Sequence, residues 1–316
     1  MTLIDRIDDV LRPRVPAERL AALRILIGAF SAIYVMVRAA SLASVAHMKS
    51  AQFAPVGPVR LLSEPLPAPV VYAVVALAVV SSVPFVLGYK FRITGPLFAA
   101  SLLWATSYRN SFGMIFHTEN LFVIHTAILG VANAAAATSL DARGKPKAEP
   151  SRRYGVTIVA LSLVTALAYT LAGIAKLRVS GFSWITGDAL RNHIAHDNLR
   201  KLLLGDGYSV IGAWTVAHAW VFKPFAAITI VFEILAPLAL LSRRIAIPIL
   251  GGLWLFHLGV LGLMWILFPY PLSGIAFASF FSAERVIDAV KARIVRRRRP
   301  AATEPTEAPQ EQAPPS

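Results

Sequence analysis

The chain has 316 residues, of which 56% are hydrophobic and 15% charged. That leaves too little polar surface to wet a soluble domain of this size, and the long apolar runs between short charged stretches read as an integral membrane protein. Cysteine is absent, which excludes disulfides, thiolate nucleophiles and cysteine-ligated zinc or iron–sulfur centres. The net charge of +14 does not point to nucleic acid, because the cations sit at the ends of apolar runs and in one terminal cluster, as the positive-inside rule requires.

The fold class this predicts is all-α, a polytopic helical bundle in the cell membrane. About eight spans are expected, near 17–38, 69–88, 93–114, 120–138, 154–176, 224–242, 245–267 and 271–287, most of them with the ~20 residues that ~30 Å of hydrocarbon demands. The first follows Arg12, Arg14 and Arg19 without a small-residue cleavage site, so a retained helix is expected rather than a signal peptide. Arg109 interrupts the third span, and Pro269 and Pro271 precede the last. Lysine and arginine recur in alternate connections: before the first span, at Lys90 and Arg92, between Arg143 and Arg153, at Arg243 and Arg244, and from Lys291 to Arg299. An even number of spans with both termini cytoplasmic satisfies that pattern.

The connection 177–223 is also basic, and long segments translocate largely regardless of charge. Its glycines and its amphipathic portion around 188–204 predict interfacial or re-entrant helices over the outer mouth, with 208–222 spanning, re-entering or lying on the membrane. The expected division is a transmembrane domain over 1–290, then a basic run and a disordered Pro/Glu/Gln-rich tail over 291–316.

Ionisable groups at bilayer depth cost at least ~2.5–3.5 kcal/mol each on insertion scales, so each needs a reason. Arg24 lies inside the first span and Arg38 ends it. The stretch SYRNSFGMIFHTENLF brings Arg109, Asn110, His117, Glu119 and Asn120 to the outer side; helix capping explains part of it, and a binding role is the alternative. Lys176 closes the run YTLAGIAKL. Either it snorkels to the headgroups or it follows the stripe Thr165, Tyr169, Ala172, Gly173 into the bundle, where desolvation makes a lysine a candidate base. Glu233 in IVFEILAPLALL and His257 in WLFHLGVLG fall at similar depth on adjacent spans, and a carboxylate–imidazole pair is expected, as a clasp or as a proton-transfer site. His193, His196 and Asp197, with His218 as a conceivable third ligand, have a weak metal-ligand spacing that a solvated interfacial helix explains better, and no metal is expected.

The run A-G-x-x-K-L (Ala172, Gly173, Lys176, Leu177), then Trp184-x-x-Gly187 and a short helix carrying His196, resembles the horizontally transferred transmembrane (HTTM) domain family, whose best-known member is the vitamin K-dependent γ-carboxylase. His117 with Asn120, and the segments around Glu233 and His257, are similar to family features, and the resemblance covers most of 17–287. It implies a quinol-dependent carboxylase- or oxygenase-type enzyme with Lys176 as base and His117 steadying the developing oxyanion. Menaquinol or a vitamin K-like quinol would lie against Trp184, with Arg38, Asn120 and His196 nearby. Ala175 stands where the carboxylase has a second lysine. The alternative class is a non-enzymatic transporter, or an accessory factor for export of, or tolerance to, a peptide or lipid.

Overall fold

The computed structural model describes residues 8–298 apart from Met114, Phe116 and Gly187. The structure is 75% helix with no strand among the described residues. The helices are α1 (Ala17–Ala43), α2 (Ala68–Leu87), α3 (Phe91–Asn110), α4 (Asn120–Val131), α5 (Arg152–Ser180), α6 (Ser183–Thr186), α7 (Ala189–Leu203), α8 (Val210–Val216), α9 (Phe222–Leu235), α10 (Arg243–Met264), α11 (Pro269–Leu272) and α12 (Glu284–Arg298). Five helical runs are long and apolar enough to cross a membrane: Ala17–His47, Ala68–Leu87, Arg152–Ser180, Ala219–Leu240 and Arg243–Met264. The protein is a helical membrane protein on those grounds.

Three expected spans take a different form. Helix α3 forms with twenty residues but is diluted by Arg92, Thr94, Ser101 and Arg109, and it is not among those five runs. Helix α4 stops at Val131, after twelve residues, rather than at 138. Beyond that end, fully buried Arg24 donates to the carbonyls of Thr138 (2.6 Å) and Phe85 (3.4 Å) and ties the following segment to the bundle. The 271–287 run is no continuous helix: Pro269 and Pro271 confine α11 to one turn, Gly274 turns the chain at φ +77°, and a short 3-10 stretch, Ile275–Phe280, follows.

Consecutive helices α1 to α4 pack as neighbours, and α5 packs on α4, α9 and the 3-10 turn Ala236–Leu240. The crossing of α3 over α4 is made by two glycines. A Cβ on Gly95 would stand 2.6 Å from the carbonyl oxygen of Gly130, so only hydrogen is tolerated at this contact. A buried core runs through the bundle from Phe85 and Phe98 to Phe122, Leu129, Leu161 and Tyr270.

The basic ends gather on one face. There Arg19 pairs with Glu284 at 2.9 Å, Lys147 with Glu18 at 3.0 Å and Arg152 with Asp9 at 3.0 Å, while the Arg243 guanidinium lies 5.8 Å from the Phe281 ring centre. On the opposite face the 177–223 connection folds into α6, α7 and α8. Buried Asn198 organises it, accepting from the Ser209 amide at 2.7 Å and donating to the Leu263 carbonyl at 2.9 Å, at the end of α10. This satisfies a carbonyl that the helix end leaves without an internal partner. Helix α8 has seven residues, which rise only ~10 Å and cannot cross ~30 Å of hydrocarbon alone. Gly187, Arg299 and the tail over 301–316 lie outside the described residues.

Candidate functional site

Helix α5 delivers Lys176 to the end of the bundle away from the basic face. The stripe Thr165, Tyr169, Gly173 is buried on the same side of the helix, so the lysine turns inward instead of snorkelling. A Cβ on Gly173 would stand 3.0 Å from the Glu233 Cβ, and this missing side chain is what lets α9 approach. Thr170 donates to the Glu233 carbonyl at 3.3 Å, and the lysine ammonium meets the Glu233 carboxylate in a direct ion pair. The Glu233 side chain is 2% exposed and that of Lys176 20%, so the pair is screened by protein rather than by water.

Aromatic rings enclose the cation. The Lys176 Nζ lies 5.5 Å from the Trp184 ring centre and 5.1 Å from that of Phe256, both within cation–π range. Beside Phe256 on α10, the His257 Nε2 lies 2.8 Å from the Tyr169 hydroxyl. The Phe268 ring then bridges two histidines, its centre 5.0 Å from His257 and 5.5 Å from His117. Three buried polar atoms here have no hydrogen-bond partner among the described residues: Glu233 Oε2, His257 Nδ1 and Trp184 Nε1. A buried polar atom without a partner costs ~1–3 kcal/mol, and a cluster of them beside aromatic rings has the composition of a ligand pocket.

Lys176, Trp184, Glu233, His257 and His117 thus come from five separate segments to one neighbourhood. The expected direct Glu233–His257 pair does not form. Lys176 takes the carboxylate and Tyr169 takes the imidazole, because both partners project from α5 into the space between α9 and α10. His196 is exposed on α7, half a turn round from buried Ile194, and it is His193 whose ring lies 5.6 Å from Trp184. Arg38 and Asn120 are exposed and belong elsewhere. Arg38 and Arg109 act on the buried carboxylate of Glu119, which Tyr34 caps with a hydrogen bond. Burial pushes the Glu119 carboxyl above its ordinary range against the pull of Tyr34 and those two cations.

The sequence-based reading missed one buried polar node. The His125 Nδ1 lies 2.6 Å from the Tyr270 hydroxyl, and its Nε2 donates to the Leu161 carbonyl at 3.1 Å. Its position inside NLFVIHTAIL met the same criterion that singled out Glu233, an ionisable group at membrane depth. Phe256 and Phe268 carried no such signal, since an aromatic in an apolar run is indistinguishable from core or lipid-facing surface.

The sequence model of the HTTM domain family matches residues 12–284. The chain belongs to that family. The matched stretch contains every helix of the HTTM bundle from α1 to the start of α12, and with it both polar clusters. No curated protein and no solved structure matches the chain.

Proposed function

We propose that this HTTM protein is a membrane-embedded acid–base enzyme acting on a lipid-soluble quinol, with the Lys176–Glu233 pair as its proton acceptor. The observation that carries this reading is the inward turn of Lys176 onto a buried glutamate between the Trp184 and Phe256 rings. Three polar atoms at the edge of this pair, without a partner among the described residues, leave hydrogen-bonding capacity open to a ligand. A quinol supplies a phenolic hydroxyl and reducing electrons when bound. Trp184 and Phe256 offer flat apolar faces to its ring, and Trp184 Nε1 and His257 Nδ1 offer unspent hydrogen-bonding capacity to its oxygens.

The pair solves a protonation problem. A lone ammonium cannot accept a proton, but the ion pair can pass one proton from Lys176 to Glu233. The amine left behind takes the hydroxyl proton, and the resulting ammonium faces the negative charge left on the oxygen. His117 adds polarity from across Phe268. The resemblance to the carboxylase extends this to a carboxylase- or oxygenase-type reaction. The test is the oxidation of menaquinol by dissolved oxygen, catalysed by the purified full-length protein. Lys176→Ala, Lys176→Arg and Glu233→Gln should each lose at least ~100-fold, the range general-base removal costs. Wild-type rates in both lysine variants overturn the reading.

The same proposal includes an eight-crossing topology in the cell membrane. Helix α3 and the α4 segment cross within the bundle, 271–287 forms the last crossing, the basic face is cytoplasmic, and α6 to α8 lie over the outer mouth. The transmembrane domain ends near residue 290, before the basic run. A second reading, transport or an accessory role in peptide or lipid export, is favoured by the separate His125–Tyr270 node, which places a further titratable group deep in the bundle. Uptake into proteoliposomes driven by a pH gradient and abolished by Glu233→Gln would select it.

A further inference from the structure

A cleft of about 550 Å³ opens on the basic side of the bundle, remote from Lys176, between the start of α3 and the end of α4. Arg92 and Lys145 stand exposed in its lining, together with Asn133, Pro96 and Val131. Three observations give it a purpose. The first is depth. Helix α4 rises only ~18 Å from its start near the outer face, so its C-terminal carbonyls and the irregular segment after it lie below the level a full-length span would reach. Irregular backbone at that depth is tolerated only against protein or a polar cavity.

The second is charge. Asp141, a carboxylate in the lining, is committed to the amides of Lys90 (2.8 Å) and Phe91 (2.7 Å), where it caps α3. It keeps its negative charge there, so with Arg92 and Lys145 the lining is net positive by one charge. The third is continuity with the hydrocarbon. Val131 is 79% exposed and Ile93, on the outer side of α3, is 66% exposed, so apolar surface runs directly out of the cleft along the bundle wall.

We propose that this cleft binds the headgroup of an anionic glycerophospholipid. Arg92 and Lys145 take the phosphodiester. The α4 carbonyls and the Asn133 side chain accept from headgroup hydroxyls, and the acyl chains leave past Val131 and Pro96. A phosphate with no acyl chain uses only the two cations, whereas a zwitterionic lipid brings a positive charge that they oppose.

Native mass spectrometry of the full-length protein in detergent, titrated with dioleoyl phosphatidylglycerol or phosphatidylcholine, tests this. The wild type should retain one phosphatidylglycerol in preference to phosphatidylcholine. Arg92→Gln and Lys145→Gln should each weaken retention about fivefold, the worth of one interfacial cation. Arg143→Gln with Arg153→Gln, outside the cleft, should leave retention unchanged. The proposal is overturned if phosphatidylcholine binds equally well, if the cleft variants match the wild type, or if the outside pair loses as much as they do. It is also overturned if glycerol 3-phosphate displaces the lipid at equal concentration, since the acyl chains would then contribute nothing.

Discussion

A lysine and a glutamate that meet inside a membrane bundle are costly to separate. Removing one partner of a buried ion pair strands the other charge, at about 3–5 kcal/mol, while replacing both with apolar residues is often neutral or stabilising. Lys176→Met alone should therefore lower the thermal stability of the detergent-solubilised protein markedly. Lys176→Met combined with Glu233→Leu should recover most of it, and additive losses in that cycle would mean the two side chains do not interact. The recovered double variant should remain inactive toward menaquinol, which separates the structural contribution of the pair from its chemistry. Glu119 offers a second residue-level test. Its folded carboxyl is held above the ordinary value of 4.5, so the folded state binds that proton more tightly than the unfolded chain. The sign follows: stability from this group is full below pH 4.5 and is lost as pH rises through the folded value. Glu119→Gln should flatten the melting temperature across that window, and an unchanged pH profile would contradict the assignment.

At the scale of elements, close approach and capping decide what holds. Gly130→Val puts a branched side chain where 2.7 Å separates a Cβ from both the Gly95 carbonyl oxygen and the Ala99 Cβ, so α3 and α4 must part. A large loss of melting temperature is expected, against a small one for Gly251→Ala, which has open space around it. Asn198→Ala should free α7 and α8 from α10, read as faster hydrogen exchange over 205–221 with little change in α1 to α3. The long apolar helices were legible in the sequence because hydropathy and length are local properties. The irregular segment after α4 was not, because it is tied down by Arg24 donating to the Thr138 carbonyl more than a hundred residues away. The broken 271–287 segment was half legible: Pro269 and Pro271 signalled the interruption, but apolar composition alone reads as a span whether or not the backbone is one helix.

For the whole molecule, two polar regions sit at opposite ends of an apolar bundle, an ion pair under the α6–α8 cover and a basic cleft on the far face. Family membership and the membrane-helix character rest on local signals, and both were readable from short motifs such as A-G-x-x-K-L. The partners within the site were not. Glu233 and His257 were each recognisable as expensive at depth, yet their pairing with Lys176 and Tyr169 depends on the rotation of α5 between α9 and α10, which helical periodicity does not specify across helices. The choice of His196 over His193 has the same origin, since both are exposed on α7 and only the ring contact with Trp184 tells them apart.

The central claim is that a quinol occupies the space beside Lys176. Photolabelling the purified protein with a photoreactive menaquinone analogue, followed by peptide mapping, tests it most directly. The account predicts labels confined to the segments around Lys176–Trp184 and Phe256–Phe268, competed away by unlabelled menaquinone. Labelling confined to the lipid-facing surface of α2 and α3, or undiminished by competitor, would contradict it.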